Sequence, residues 1–210
     1  MHQVLYSCAA DMKQAAAHAM RATFQDAATD AVIFVDASNA FNNLNRKVAL
    51  LNVQFICPSI ATILINCYRR NTCLFAGGSV LYSREGITQG DPLAMAMFAL
   101  ATVPLINAVA TPGTIQAWFA DDAASGGVLQ RIREWWDCVV AKGPAFGYYP
   151  NAGKTYLLVK TGSYDEAVKT LQCKSHWKEG TTLGVHWALM LFSRILCRRK
   201  CLTGHSKFNA

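Results

Sequence analysis

Short apolar runs alternate along the chain with segments whose apolar residues recur at helical spacing, and the switches between the two patterns mark its elements. Residues 9–23, AADMKQAAAHAMRAT, are rich in good helix formers and predict a helix. AVIFVD (31–36) is a short β-branched run closed by a carboxylate, the pattern of a buried strand with Asp36 at its C-terminal end. NRKVALLNVQF and CPSIATILINCYRR predict two helices, the second opened by Pro58 and closed by Tyr68, Arg69 and Arg70. TCLFAGGSVLYS (72–83) sets two apolar runs around Gly77-Gly78 and predicts a hairpin. GITQGDPLAMAMFALATVPLINAV runs from a glycine loop into a long apolar helix, with Asp91 expected as its N-cap, Pro92 at its first position, and Pro104 expected to kink or end it. TIQAWFADDAASG predicts strand, turn, strand; VLQRIREWWDCVVAKG an amphipathic helix; KTYLLVK a last strand. The order is mixed, with antiparallel pairing rather than a regular parallel alternation, and no repeat or low-complexity linker interrupts it.

With 210 residues, 52% of them hydrophobic, the chain can bury one good core, so a single domain, or part of a larger one, is expected. No apolar run reaches the roughly 18 residues a membrane span needs. The N-terminus lacks a basic start followed by an apolar stretch, so an intracellular protein, nuclear or cytoplasmic, is expected. None of the eight cysteines is spaced Cys-x-x-Cys, and Cys197 and Cys201 lack a partner pair at zinc-site spacing. Most are expected to act as small buried hydrophobes. The net charge of +7 invites a nucleic-acid partner, but Arg194, Arg198, Arg199, Lys200 and Lys207 follow Gly184 with no acidic residue among them. That leaves the first 184 residues at only +2.

Against this nearly balanced body, two adjacent aspartates stand out. Asp121-Asp122 follows an apolar run and precedes small residues. The pair could be a solvated turn. It could also be tolerated because a hard divalent cation, which prefers carboxylate oxygens, cancels the repulsion. Such a site needs a further carboxylate, and Asp36, at a strand end about 85 residues earlier, can supply it if the two strands are neighbours in one sheet. Three carboxylates can then hold two ions for an in-line phosphoryl displacement.

VIFVDASNAFNNLNR, GITQGDPLAMAMF, WFADDAAS and FGYYPNAGKTYLLVK stand in the order and approximate spacing of palm motifs A, B, C and D of reverse transcriptases, and the chain resembles those of non-LTR retrotransposons and group II introns over about residues 31–160. The resemblance implies an α+β palm: a small antiparallel sheet in a ferredoxin-like arrangement, backed by helices, with fingers and thumb largely missing. It implies an RNA-directed DNA polymerase that uses an RNA template, a DNA primer, deoxynucleoside triphosphates and two Mg²⁺ ions, with Mn²⁺ as the alternative, and no membrane. Asp36, Asp121 and Asp122 would be the metal ligands and catalytic carboxylates. Phe41 would be a steric gate against a ribonucleotide 2′-OH, with a plain core phenylalanine as the other reading. Gln89 and Gly90 would sit against template and incoming base, while Asp91-Pro92 is helix-start chemistry. Lys154 would lie near the triphosphate and donate a proton to departing pyrophosphate, with a solvated charge as the other reading, and Asn151 would shape its loop. Trp135-Trp136 is expected to be core plus one exposed ring rather than a base-stacking platform.

The chain also departs from that pattern. Residues 1–30 look like a remnant of fingers, 31–184 like the palm, and 185–210 like a basic tail matching nothing in the family. Leu183-Gly184 fits the start of the segment that ordinarily follows. In the frame made of each codon's third base and the next codon's first two, His186-Trp187 encodes Leu and Trp187-Ala188 encodes Gly whatever codons are used. Suitable codons extend this to Pro-Leu-Gly-Ser-Asp-Ala-Phe. A shifted reading frame near residue 185 is therefore expected, the alternative being a basic helix that grips phosphates or a membrane surface. Two rival functions stand beside the polymerase. One is a catalytically inactive retroelement remnant; the other is an RNA-templated RNA polymerase, in which Gly usually stands where Ala120 does here.

Overall fold

The computed structural model describes residues 10–88, 90–171 and 177–180, and for residues 10–14, Thr72 and 177–180 it gives the backbone alone. Helix α1 (Ala10–Gln25) leads into β1 (Ala31–Val35). A short α2 (Ala40–Asn43), then α3 (Arg46–Ile56) and α4 (Pro58–Tyr68), follow. The hairpin β2 (Thr72–Ala76) and β3 (Ser79–Ser83) precedes the long α5 (Ala94–Val109). A second hairpin, β4 (Thr114–Phe119) and β5 (Asp122–Gly127), leads to α6 (Leu129–Lys142). Strand β6 (Tyr156–Lys160), α7 (Tyr164–Leu171) and β7 (Trp177–Gly180) complete the described chain.

The main sheet has the order β4-β5-β1-β6-β7, antiparallel except for the parallel β6/β7 pair. Its first four strands and the crossovers between them make the βαββαβ arrangement of ferredoxin-like folds, since α5 and its neighbours connect β1 to β4 and α6 connects β5 to β6. All five residues of β1 are buried, as expected of a strand with partners on both edges and helices on both faces. Ala31, Ile33 and Val35 belong to the large core with α3, α5 and α6, including Met97, Leu105, Ile132 and Trp135. Val32 and Phe34 face the other way, against Ala16 and Met20 of α1. Strand β5, DAASGG, is built of small residues because α1 crosses it closely. A Cβ on Gly126 would lie 2.6 Å from Cγ2 of Thr23 and 3.0 Å from Cγ2 of Val32.

Most elements match the apolar pattern, and four details differ. Pro104 does not end α5. Asn52 Nδ2 donates to the Ala101 carbonyl at 2.9 Å in the turn the proline disturbs, and Leu105, Ile106 and Val109 are fully buried, so core contacts hold the last turn. Asp91 and Pro92 fall in a turn just ahead of α5 rather than at its N-cap and first position, although Asp91 Oδ1 still accepts the Leu93 N–H at 2.8 Å. The other carboxylate oxygen, Asp91 Oδ2, accepts from the Tyr68 hydroxyl. The four described cysteines are free thiols, and none is buried: Cys67 and Cys73 are exposed, and Cys57 and Cys138 are half-buried. Of these, Cys138 packs against the edge of the large core. Trp135 is in the core, and Trp136 is half-buried against it rather than exposed.

The β2/β3 hairpin forms a separate two-stranded sheet. Leu74, Phe75, Val80, Leu81 and Tyr82 on it are exposed, as are Leu51, Phe55 and Ile63 on α3 and α4. Among the described residues, no helix is long and apolar enough to cross a membrane. The tail 185–210 lies outside the described residues.

Candidate active site

Two neighbouring strands end at the same edge of the sheet, each with a carboxylate. The β1/β5 ladder pairs Val35 with Ala123, so Asp36 and Asp122 occupy the next rung. The β4/β5 ladder pairs Phe119 with Asp122, which leaves Ala120 and Asp121 as a two-residue hairpin turn. That turn needs a left-handed backbone, and Ala120 supplies it at φ 51°, a conformation that disfavours any side chain. Asp36, Asp121 and Asp122 are each at least nine-tenths buried, at 8%, 1% and 9% exposure. Adjacent strands thus bring Asp36 beside an aspartate pair about 85 residues further along the chain.

A buried phenol supports them from below. Tyr148 donates its hydroxyl to the Asp121 carbonyl at 3.1 Å, and its ring lies 5.3 Å from that of Trp118. Burial, and then the negative charges of Asp122, Asp121 and Asp36, push the phenol well above its usual range, so it stays neutral and remains a donor. Trp118 is fixed in turn through Gln116 Oε1, which accepts from Trp118 Nε1 at 3.1 Å and from Trp135 Nε1 at 3.0 Å. Gln116 Nε2 donates to the Ile106 carbonyl in the last turn of α5 at 3.2 Å. The carboxylate turn therefore rests on a satisfied buried network reaching two helices.

The segment ahead of β6 is knitted to the end of β1. Ala37 bridges Pro150, the Ser38 N–H donates to the Tyr149 carbonyl at 2.9 Å, and the Asn151 N–H donates to the Asp36 carbonyl at 2.8 Å. Asn151 Oδ1 accepts the Gly153 N–H at 3.0 Å and shapes the turn that carries Lys154. The Lys154 ammonium ends 3.4 Å from Asp36 Oδ2.

Phe41 lies on α2, half-buried, stacked on Phe98 of α5 with ring centroids 4.6 Å apart. Its carbonyl accepts the Ile87 N–H at 2.8 Å, which joins α2 to the glycine loop before α5. In that loop Gly90 is exposed at φ 94°, and nothing lies within 4 Å of where a Cβ would stand, so its backbone is open to a ligand. Gln89 lies outside the described residues.

Arg46, at the start of α3, organises the same loop. It is buried, and its guanidinium donates to the carbonyls of Gly86, Ser83 and Glu85 and to Ser83 Oγ at 2.8–3.0 Å. It also stands over the Tyr68 ring at 5.7 Å, and Tyr68 holds Asp91. Neither Arg46 nor Tyr148 stood out in the sequence, although both lie within the motif stretches NNLNR and FGYYP. An arginine beside a helix start and a tyrosine in a loop carry no signal until their partners are known.

The donor chemistry suits a hard divalent cation: three buried carboxylates, of which Asp36 keeps Oδ2 buried without a hydrogen bond and facing an ammonium group. Among the described residues no group of three His, Cys, Asp or Glu side chains is already gathered to hold a metal ion.

No protein-family model matches the sequence, and no curated protein matches it. Among solved structures, the chain is similar to an apo telomerase from Candida tropicalis truncated from its C-terminal domain, with TM-score 0.51 and 11% identity over 73% of this chain. It is also similar to the apo telomerase from Candida tropicalis, with TM-score 0.50 and 10% identity over 71% of this chain. The matches cover 36% and 32% of those telomerase chains, about a third of their length. At such identity the likeness is one of fold, and the chain has a reverse-transcriptase-like α+β fold.

Proposed function

We propose that the chain is the catalytic palm of an RNA-directed DNA polymerase of the retrotransposon kind, which adds deoxynucleotides to a primer 3′-OH on an RNA template. The observation that carries this reading is the convergence of Asp36, Asp121 and Asp122 at one sheet edge, from adjacent strands, around the Tyr148 hydroxyl. Asp36, Asp121 and Asp122 would hold two Mg²⁺, or Mn²⁺. When bound, such ions activate the attacking hydroxyl and steady the leaving oxygen. Phe41 would bound the sugar, its ring fixed by Phe98, and favour deoxynucleotides. Gly90, with Gln89, would leave backbone open to the base pair, and Lys154 would meet the triphosphate and give its proton to the departing pyrophosphate.

A catalytically inactive palm is the second reading, since the likeness to solved structures is one of fold alone. Primer extension by the purified full chain separates the two, using an RNA template, a DNA primer and either deoxynucleotides or ribonucleotides. Extension with deoxynucleotides that vanishes in Asp121→Asn supports the polymerase. Ribonucleotide incorporation that rises in Phe41→Ala supports the gate. Template binding without extension by the parent chain leaves the inactive reading standing.

A further inference from the structure

Asp36 is 8% exposed, and its Oδ2 accepts no hydrogen bond. A buried carboxylate in that state is costly unless a cation offsets it. Among the described residues the cation paired with it is Lys154, at 3.4 Å. That separation exceeds the roughly 2.7–2.9 Å of a charge-assisted hydrogen bond, so the contact is one of charge alone and nothing locks it. The turn beneath Lys154 is nonetheless held firmly against the strand of Asp36. The Asn151 N–H donates to the Asp36 carbonyl at 2.8 Å, and the Lys154 N–H donates to the Asn151 carbonyl at 3.0 Å. The Lys154 side chain is 63% exposed, so its tip can leave without disturbing the core, while its base keeps it within reach.

We propose that Lys154 is a built-in counter-cation that sits at the Asp36 carboxylate and must be displaced when a divalent cation takes that carboxylate. This rests on the reading of Asp36 as a cation ligand. An ion in direct contact with a carboxylate oxygen approaches to about 2.0–2.1 Å for Mg²⁺, far closer than the ammonium does. The two cations would repel at that distance. Lys154 therefore weakens divalent binding by the strength of a partly exposed ion pair, and leaves the carboxylate balanced when no ion is present.

The test is calorimetric titration of Mn²⁺ into the full chain, its Lys154→Met, Lys154→Arg and Asp36→Asn variants, with no nucleic acid. The Lys154→Met chain should bind Mn²⁺ roughly two- to fivefold more tightly, the range of one exposed pair. The Arg variant should bind as the parent does, and the Asn variant should lose the site. Melting temperatures give a second readout: Lys154→Met should melt below the parent in a chelator, and the gap should close in Mn²⁺. Unchanged or weaker binding by Lys154→Met overturns the counter-cation role while leaving the metal site intact. No binding by any variant overturns the metal reading, and the counter-cation role with it. Binding without primer extension bears against the polymerase alone.

Discussion

Ala120 is the residue at which sequence, strain and chemistry meet most closely. Its left-handed backbone costs about 1–2 kcal/mol relative to an unstrained residue, and it turns the chain so that Asp121 and Asp122 follow at once. Ala120→Gly would remove the strain but loosen the unfolded chain, for a net stabilisation of about 0.5–1 kcal/mol and a melting temperature about 2 °C higher by calorimetry. Tyr148→Phe should act oppositely. It strips the Asp121 carbonyl of its donor inside the core at a cost of about 1–3 kcal/mol.

Tyr148 also sets an alkaline limit. Its phenol is pushed upward in the folded chain, so the unfolded chain gives up its proton first as pH rises. The stability this group contributes is whole below the unfolded phenol's ordinary pKa of about 10 and is lost progressively above it. Denaturant midpoints measured from pH 9 upward should fall with pH in the parent and fall less in Tyr148→Phe. Asp36, Asp121 and Asp122 could be singled out in the sequence because the Asp-Asp pair follows an apolar run and Asp36 closes another. The tyrosine could not, because its importance lies in a fully buried position that only the assembled sheet creates.

At the scale of elements, apolar runs, helix-forming composition and turn glycines were enough to find both hairpins, β1, β6, α1 and the four long helices after β1. What they missed were pieces whose existence depends on partners: the four-residue α2, the short α7, and β7, which pairs in parallel with β6. Pro104 does not end the helix for a related reason, since local chemistry disfavours what the surrounding core then holds in place. The DAASGG strand shows the reverse case, where small residues that look weak for a strand are required by a crossing helix. Gly126→Ala should cost about 1–3 kcal/mol in chemical denaturation, because the Thr23 methyl it would strike belongs to a side chain already bonded to the Ala19 carbonyl at 2.9 Å.

At the scale of the whole molecule, the two sheets differ in how they are held. The five-stranded sheet has helices on both faces, whereas the β2/β3 hairpin carries exposed apolar side chains and pairs only with itself among the described strands. An isolated two-stranded sheet is marginal in water. Amide hydrogen exchange should therefore release Cys73–Tyr82 well before the buried amides of β1 and β5. Protection of the hairpin equal to that of β1 would show that it is fixed by something other than its own pairing. The strand order has a temporal side as well. β1 leaves the ribosome before either of its two neighbours, β5 and β6. The ribosome must add a further 87 residues after Val35 before even Asp122, the first residue of β5, exists. At about 5–20 residues per second that is roughly 4 to 17 s during which an all-apolar strand has neither edge covered. The nascent chain is thus exposed to misassociation through the same strand that later leads into Asp36, so its yield in a cell should depend on translation speed and chaperone supply more than its finished stability suggests.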